Sequence, residues 1–211
     1  MLGRRAKHQV LAELPARDGD GPRPGALNRA ALESCSGLVR DLAAAGPVLV
    51  TGPARSEVAL GIAAAAAADG RHVALLESDL AQPQLAGWLG LAPAPGLREY
   101  LREEVDAGGI LQPLVLAGPA SGRATEPLAV IVSGEREAAP VALLDSDRCD
   151  GAIQRLRKAY DLLVIGGPGL EEDPDALRAL AEHAGTTLVA GSKAAIPRRL
   201  PVKVTGLVLV G

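Results

Sequence analysis

Val48-Leu-Val-Thr-Gly-Pro-Ala-Arg-Ser-Glu57, then Val58-Ala-Leu-Gly-Ile-Ala-Ala-Ala-Ala-Ala-Ala68, then Val73-Ala-Leu-Leu76, is the stretch on which the fold turns. A short continuous apolar run before a Gly-Pro turn reads as a buried strand. The Ala-rich run that follows is long enough for a helix and too short to span a bilayer. Asp69-Gly70 closes it, and a second apolar run supplies another strand. Strand, helix, strand over this length is a βαβ unit, whose two strands lie parallel in one sheet.

The same alternation continues in both directions. Upstream, Leu27, Ala31, Leu38 and Leu42 fall at helical spacing between Leu27 and Ala45, and Gly46-Pro47 stops the helix. Residues 15–26 mix Pro and Gly with charge and read as a linker, preceded by Val10-Leu-Ala-Glu-Leu14 as a short strand or turn. Downstream, helices are predicted over Gln84–Leu89, Leu97–Val105, Cys149–Ala159 and Asp175–His183. Strands are predicted over Leu128–Val132, Leu162–Ile165, Thr186–Val189 and Val202–Val210. Buried strands alternating with helices predict an α/β three-layer sandwich, a mostly parallel sheet with helices on both faces. The expected organisation is a flexible segment and linker over residues 1–26 and one domain over 27–211.

Composition excludes several functions. The 211 residues hold 39 Ala, 25 Gly and 16 Pro but no Phe, one Trp and two Tyr, so aromatic platforms for single-stranded nucleic acid are missing. With 22 basic against 25 acidic residues the formal charge is −3, which offers no excess for a phosphate backbone. Nucleic acid is therefore not an expected partner. Cys35 and Cys149 are too few for a disulfide framework, and His8, His72 and His183 have no ligand spacing. A basic start without an apolar signal region, and no run long enough to span a bilayer, place the expected location in the cytoplasm.

Ligands of such a sheet bind where strands give way to helices, at their carboxyl ends. Three turns qualify. In the first, Gly52, Arg55 and Ser56 are the candidate phosphate-binding residues, with Ser56 as a magnesium ligand. A working phosphate loop needs glycines to expose backbone N–H groups and a Lys to reach the phosphates. Here Pro53 lacks an N–H, a second Gly is absent, and the cation is the longer, planar Arg55. A plain strand-to-helix connection with Ser56 or Glu57 starting the helix competes with that reading. In the second turn, Glu77 and Asp79 are candidate catalytic carboxylates, Asp79 also a metal ligand; alternatively Asp79 caps the next helix and Glu77 is solvated. The third, Tyr160-Asp-Leu-Leu-Val-Ile-Gly-Gly-Pro-Gly169, ends its strand in Gly166, where a nucleoside triphosphatase carries a metal-side Asp.

These turns together resemble the bacterial tyrosine kinase and capsular-polysaccharide regulator family, within the MinD/ParA-type P-loop ATPases. Val73-Ala-Leu-Leu-Glu-Ser-Asp-Leu-Ala-Gln-Pro83 is similar to that family's "LLIDADLRRP" element, and Tyr160 to Pro168 to its "YDVVIIDTPP" strand. Between them, Leu85-Ala-Gly-Trp-Leu-Gly-Leu-Ala-Pro-Ala-Pro-Gly-Leu-Arg-Glu-Tyr-Leu101 keeps the order of leucines and Pro-Gly of "LHRLFGLPNEPGLSDVL". The resemblance implies ATP with Mg2+ as ligand, a membrane polysaccharide chain-length regulator as partner, a homo-oligomer, and a position at the inner face of the cell membrane.

The departures lie where the chemistry is. Gly52-Pro-Ala-Arg-Ser56 falls on the family's "GEGKS" in a shortened loop, Ala81 and Gln82 replace paired arginines, and Gly166 replaces the Asp. The kinases' tyrosine cluster has no counterpart, since the only tyrosines are Tyr100 and Tyr160. The expectation is a degenerate, catalytically inactive kinase-like protein with a regulatory or interaction role in exopolysaccharide or capsule biosynthesis, with no cofactor assigned. The alternative is an ATP-binding tyrosine kinase or ATPase whose loop uses Arg55 in place of Lys.

Overall fold

The structure, a computed structural model, describes residues 9–15, 29–42, 46–115, 127–197 and 199–211. Its strands are β1 (Val10–Leu14), β2 (Val48–Thr51), β3 (Val73–Glu77), β4 (Gln112–Leu114), β5 (Leu128–Ile131), β6 (Leu162–Gly166), β7 (Thr186–Gly191) and β8 (Gly206–Val210). The helices are α1 (Arg29–Leu42), α2 (Arg55–Ala68), α3 (Leu85–Leu89), α4 (Leu97–Leu101), α5 (Pro140–Leu144), α6 (Asp147–Ala159) and α7 (Pro174–His183), with a 3-10 turn over Ala107–Ile110. The strands join one eight-stranded sheet in the order β1-β8-β7-β2-β6-β3-β5-β4. All neighbours pair in parallel except β4, which lies antiparallel to β5 at the edge.

Alternation along the strands builds two cores. Val48, Val50, Val73, Leu75, Leu162 and Val164 face a cluster shared with α1, α2 and α3. Leu49, Ala74, Leu76, Leu163 and Ile165 point the other way, onto α4 to α7. Both faces are dry, so these strands read as unbroken apolar runs rather than alternating ones. α2 is apolar all round because it is covered on all sides, by the sheet and by α1. The contact with α1 is close: a Cβ at Gly61 would lie 2.9 Å from Cys35 Sγ.

Some sequence expectations shift. Val10–Leu14 is a full member of the sheet, pairing with β8 from Val10↔Leu207 to Leu14↔Val210, so a boundary after residue 26 cuts off an edge strand. Most of the expected linker, residues 16–26, lies outside the described residues, as do both ends of the helix expected over Leu27–Ala45. α4 stops at Leu101 rather than Val105, where Glu103 turns into a positive φ of 64°. The last strand begins at Gly206, not Val202. β4 and α5 were not foreseen.

Cys35 and Cys149 are 0% and 1% exposed. Burial, reinforced by Glu57, pushes the Cys35 thiol up to about 12; burial, reinforced by Asp150, does the same to Cys149. Neither thiol is therefore expected to react with a disulfide reagent at about pH 8 while the protein is folded, and both should react in urea, because the thiolate is the attacking species. Labelling of the native chain at the rate of a free thiol would contradict this burial.

Candidate functional site

β2, β6 and β3 are neighbours in the sheet, which brings their carboxyl ends together. Hydrogen bonds fasten the three turns to one another. Gly167 N donates to Val50 O at 2.8 Å, Ser78 N to Gly166 O at 2.8 Å, and Thr51 Oγ1 to Pro168 O at 2.6 Å. Ser133, just past β5, extends the platform by donating its hydroxyl to Asp79 O at 3.0 Å.

The first turn is closed upon itself. Gly52 has φ +100°, and a Cβ there would meet Ala190 O at 2.5 Å, so only glycine fits. Ala54 N donates to that same Ala190 carbonyl at 3.1 Å, and Arg55 N returns to Gly52 O at 3.1 Å. Pro53 has no N–H to offer. The amides that would cradle a phosphate are thus absent or already bonded at these three positions.

Arg55 is 6% exposed and begins α2, where its side chain runs to Asp79, itself 3% exposed. Arg55 Nε donates to Asp79 Oδ2 at 3.1 Å, and Nη2 converges on the same oxygen. Nη1 donates to Gly52 O at 3.3 Å, and Nη2 also lies 3.4 Å from Glu172 Oε2, in the turn after β6. The other Asp79 oxygen accepts from Gln82 N at 3.0 Å. One guanidinium thus faces two carboxylates.

Glu77 has a different job. Its Oε1 accepts from Gln84 N and Leu85 N, both at 2.7 Å, and its Oε2 from Ser133 N at 3.2 Å. Burial raises its pKa, against the downward pull of these donors. The sequence alternative is therefore exchanged between the two residues: Glu77, 4% exposed, is not solvated and serves the start of α3, while Asp79 does not cap that helix. Both Glu77 oxygens are engaged by backbone N–H groups.

Of the residues singled out from sequence, Gly52, Arg55 and Asp79 meet in one hydrogen-bonded cluster. Ser56 is half-buried on the first turn of α2, and among the described residues its side chain makes no hydrogen bond to that cluster. Gly166 offers only its carbonyl, which accepts from Ser78; a Cβ there would have 3.9 Å to its nearest neighbours, so space is not what excludes an Asp. Glu172 and Ser133 were missed. Glu172 lies beyond the strand-end motif and is brought back only by the turn; Ser133 follows β5, whose place beside β3 no local pattern announces.

No protein-family model matches the chain, and comparison with curated protein sequences finds no match either. Solved structures do match. The BceF tyrosine kinase domain is 21% identical over 97% of this chain and 93% of its own, with a TM-score of 0.74. The kinase domain of Escherichia coli tyrosine kinase ETK is 19% identical over 97% and 90%, with a TM-score of 0.76. The septum site-determining protein MinD complexed with Mg-ADP, from Pyrococcus horikoshii, is 15% identical over 70% and 59%, with a TM-score of 0.53. The fold is thus that of the MinD-type P-loop nucleoside triphosphatases and, over nearly the whole chain, of bacterial tyrosine kinase domains.

Such folds imply a magnesium-bound nucleoside triphosphate, and the residues present do not fit one. The Ala54 and Arg55 amides are committed, Pro53 has none, the Arg55 guanidinium is paired with Asp79, and the strand end that would face the metal is Gly166. A polyanion taking Arg55 would leave Asp79 a buried, unpaired charge beside Glu172, a loss of about 3–5 kcal/mol. That weakens binding roughly a hundred- to several-thousand-fold.

Proposed function

We propose that this protein is a catalytically silent relative of the P-loop tyrosine kinases, acting as a regulatory or interaction component of exopolysaccharide or capsule assembly. The observation that supports the silent part is the buried Arg55–Asp79 pair, which engages the loop cation within the protein. The pathway rests on the likeness to tyrosine kinase domains and on the sequence resemblance from Glu77 to Leu101. In this reading the protein sits in the cytoplasm beside a membrane polysaccharide chain-length regulator and engages it through its surface. No helix among the described residues is long and apolar enough to cross a membrane.

Incubation with ATP labelled in its γ-phosphate and Mg2+ tests this. Neither phosphate release above background nor label on Tyr100 or Tyr160 is expected. Release that disappears in an Asp79→Asn variant would instead establish an enzyme with a non-standard loop.

A further inference from the structure

An apolar cavity of about 210 Å³ opens on the other face of the sheet, between α4, the 3-10 turn and α6. Leu76 of β3 and Ile131 of β5 line it from the sheet side, with Ile110 and Tyr100 against Ala152 and Leu156 of α6. None of these takes part in the Arg55 cluster. Leu76 and Ile131 are 0% and 3% exposed, so part of the lining belongs to the rigid core. The space exists because α6 contributes Ala152 and Ala159 to the lining in a chain that has no Phe. Apolar cavities of roughly 150 Å³ stay dry and take up benzene-sized molecules.

The mouth is polar at one point. Arg155 Nη2 donates to the Tyr100 hydroxyl, and its guanidinium carbon is 6.0 Å from the Tyr100 ring centre. Arg148 stacks on the same ring at 4.4 Å and has an acidic neighbour, Glu103 Oε1 at 3.6 Å from its Nη1. Among the described residues no carboxylate lies within 4.0 Å of Arg155. The adjoining hollow holds Glu103, Asp106 and Asp147 with the two arginines, so its field opposes a multiply charged anion and leaves one guanidinium for a single negative charge.

We propose that this cavity binds a small apolar monocarboxylate, its ring or short branched chain inside and its carboxylate on Arg155. An apolar lining with one convergent polar group is the usual composition of a small-molecule site, and a guanidinium matches a carboxylate in planar geometry. The proposal does not depend on whether the protein hydrolyses ATP.

Phenylacetate, titrated into the full 211-residue chain and followed by calorimetry, should bind saturably. Phenylacetamide, the neutral isostere, should bind about tenfold more weakly, the difference made by one charge-assisted contact. Arg155→Met should lower phenylacetate to the level of phenylacetamide and leave phenylacetamide unchanged. Ala152→Leu, which fills the cavity, should abolish binding of both; Ala159→Leu, at an exposed position, gives the same readout should the first variant fail to fold. Absence of saturable phenylacetate binding, equal binding of acid and amide, or binding undiminished by filled-cavity variants that fold would each overturn the proposal.

Discussion

Asp79→Ala is expected to lower the free energy of unfolding by about 3 kcal/mol, because it leaves the buried Arg55 guanidinium with only Gly52 O and the half-exposed Glu172 as partners. Domains are stable by only about 5–15 kcal/mol, so the urea midpoint should fall steeply. The cost belongs to the orphaned charge rather than to the pair, so the double variant Arg55→Met/Asp79→Leu should recover most of it. This pattern separates two kinds of site. Groups kept for catalysis are commonly strained or destabilising, and their removal tends to be neutral or stabilising. An Asp79→Ala variant as stable as the parent would mean that the pair does not hold the turn together.

Glu77→Ala should be comparably severe. It removes the acceptor of three backbone N–H groups at Gln84, Leu85 and Ser133. Each buried donor left unpaired costs about 1–3 kcal/mol, and the Leu85 and Ser133 donors are buried, so a loss of about 2 kcal/mol or more is expected. A Glu77→Gln variant isolates the charge. Burial raises the folded-state pKa above the ordinary 4.5, so the folded protein binds its proton at Glu77 before the unfolded chain does. Ionised Glu77 is therefore a burden at neutral pH. Parent stability relative to Glu77→Gln should rise as pH falls through the folded value, then level off below 4.5. A gain that instead grows with rising pH would mean that the three donors outweigh burial.

The sheet was legible because its central strands, β2, β3, β5, β6 and β7, are buried on both faces and bounded by breakers. β4 was not, since Gln112-Pro-Leu114 is short and contains a proline that only an edge strand tolerates. α5 is a five-residue apolar run that periodicity cannot tell from a strand. At the site, the sequence marked Gly52 and Arg55 in one turn as phosphate-binding candidates and Asp79 in another as a catalytic carboxylate and metal ligand. That Arg55 pairs with Asp79 instead depends on the strand order and on side-chain reach, neither of which is local. One signal was available and unused: Val73, Leu75 and Glu77 share a strand face, the one covered by α2 and α3, so Glu77 was bound to point under α3 rather than toward solvent.

The central claim is that the Arg55–Asp79 pair closes the loop to nucleotide. Calorimetric titration of ATP into the native chain, with and without Mg2+, tests it most directly. The account predicts no saturable binding up to about 1 mM under either condition, which corresponds to less than about 4 kcal/mol of binding free energy. Micromolar, magnesium-dependent binding that is lost in Arg55→Ala would contradict it.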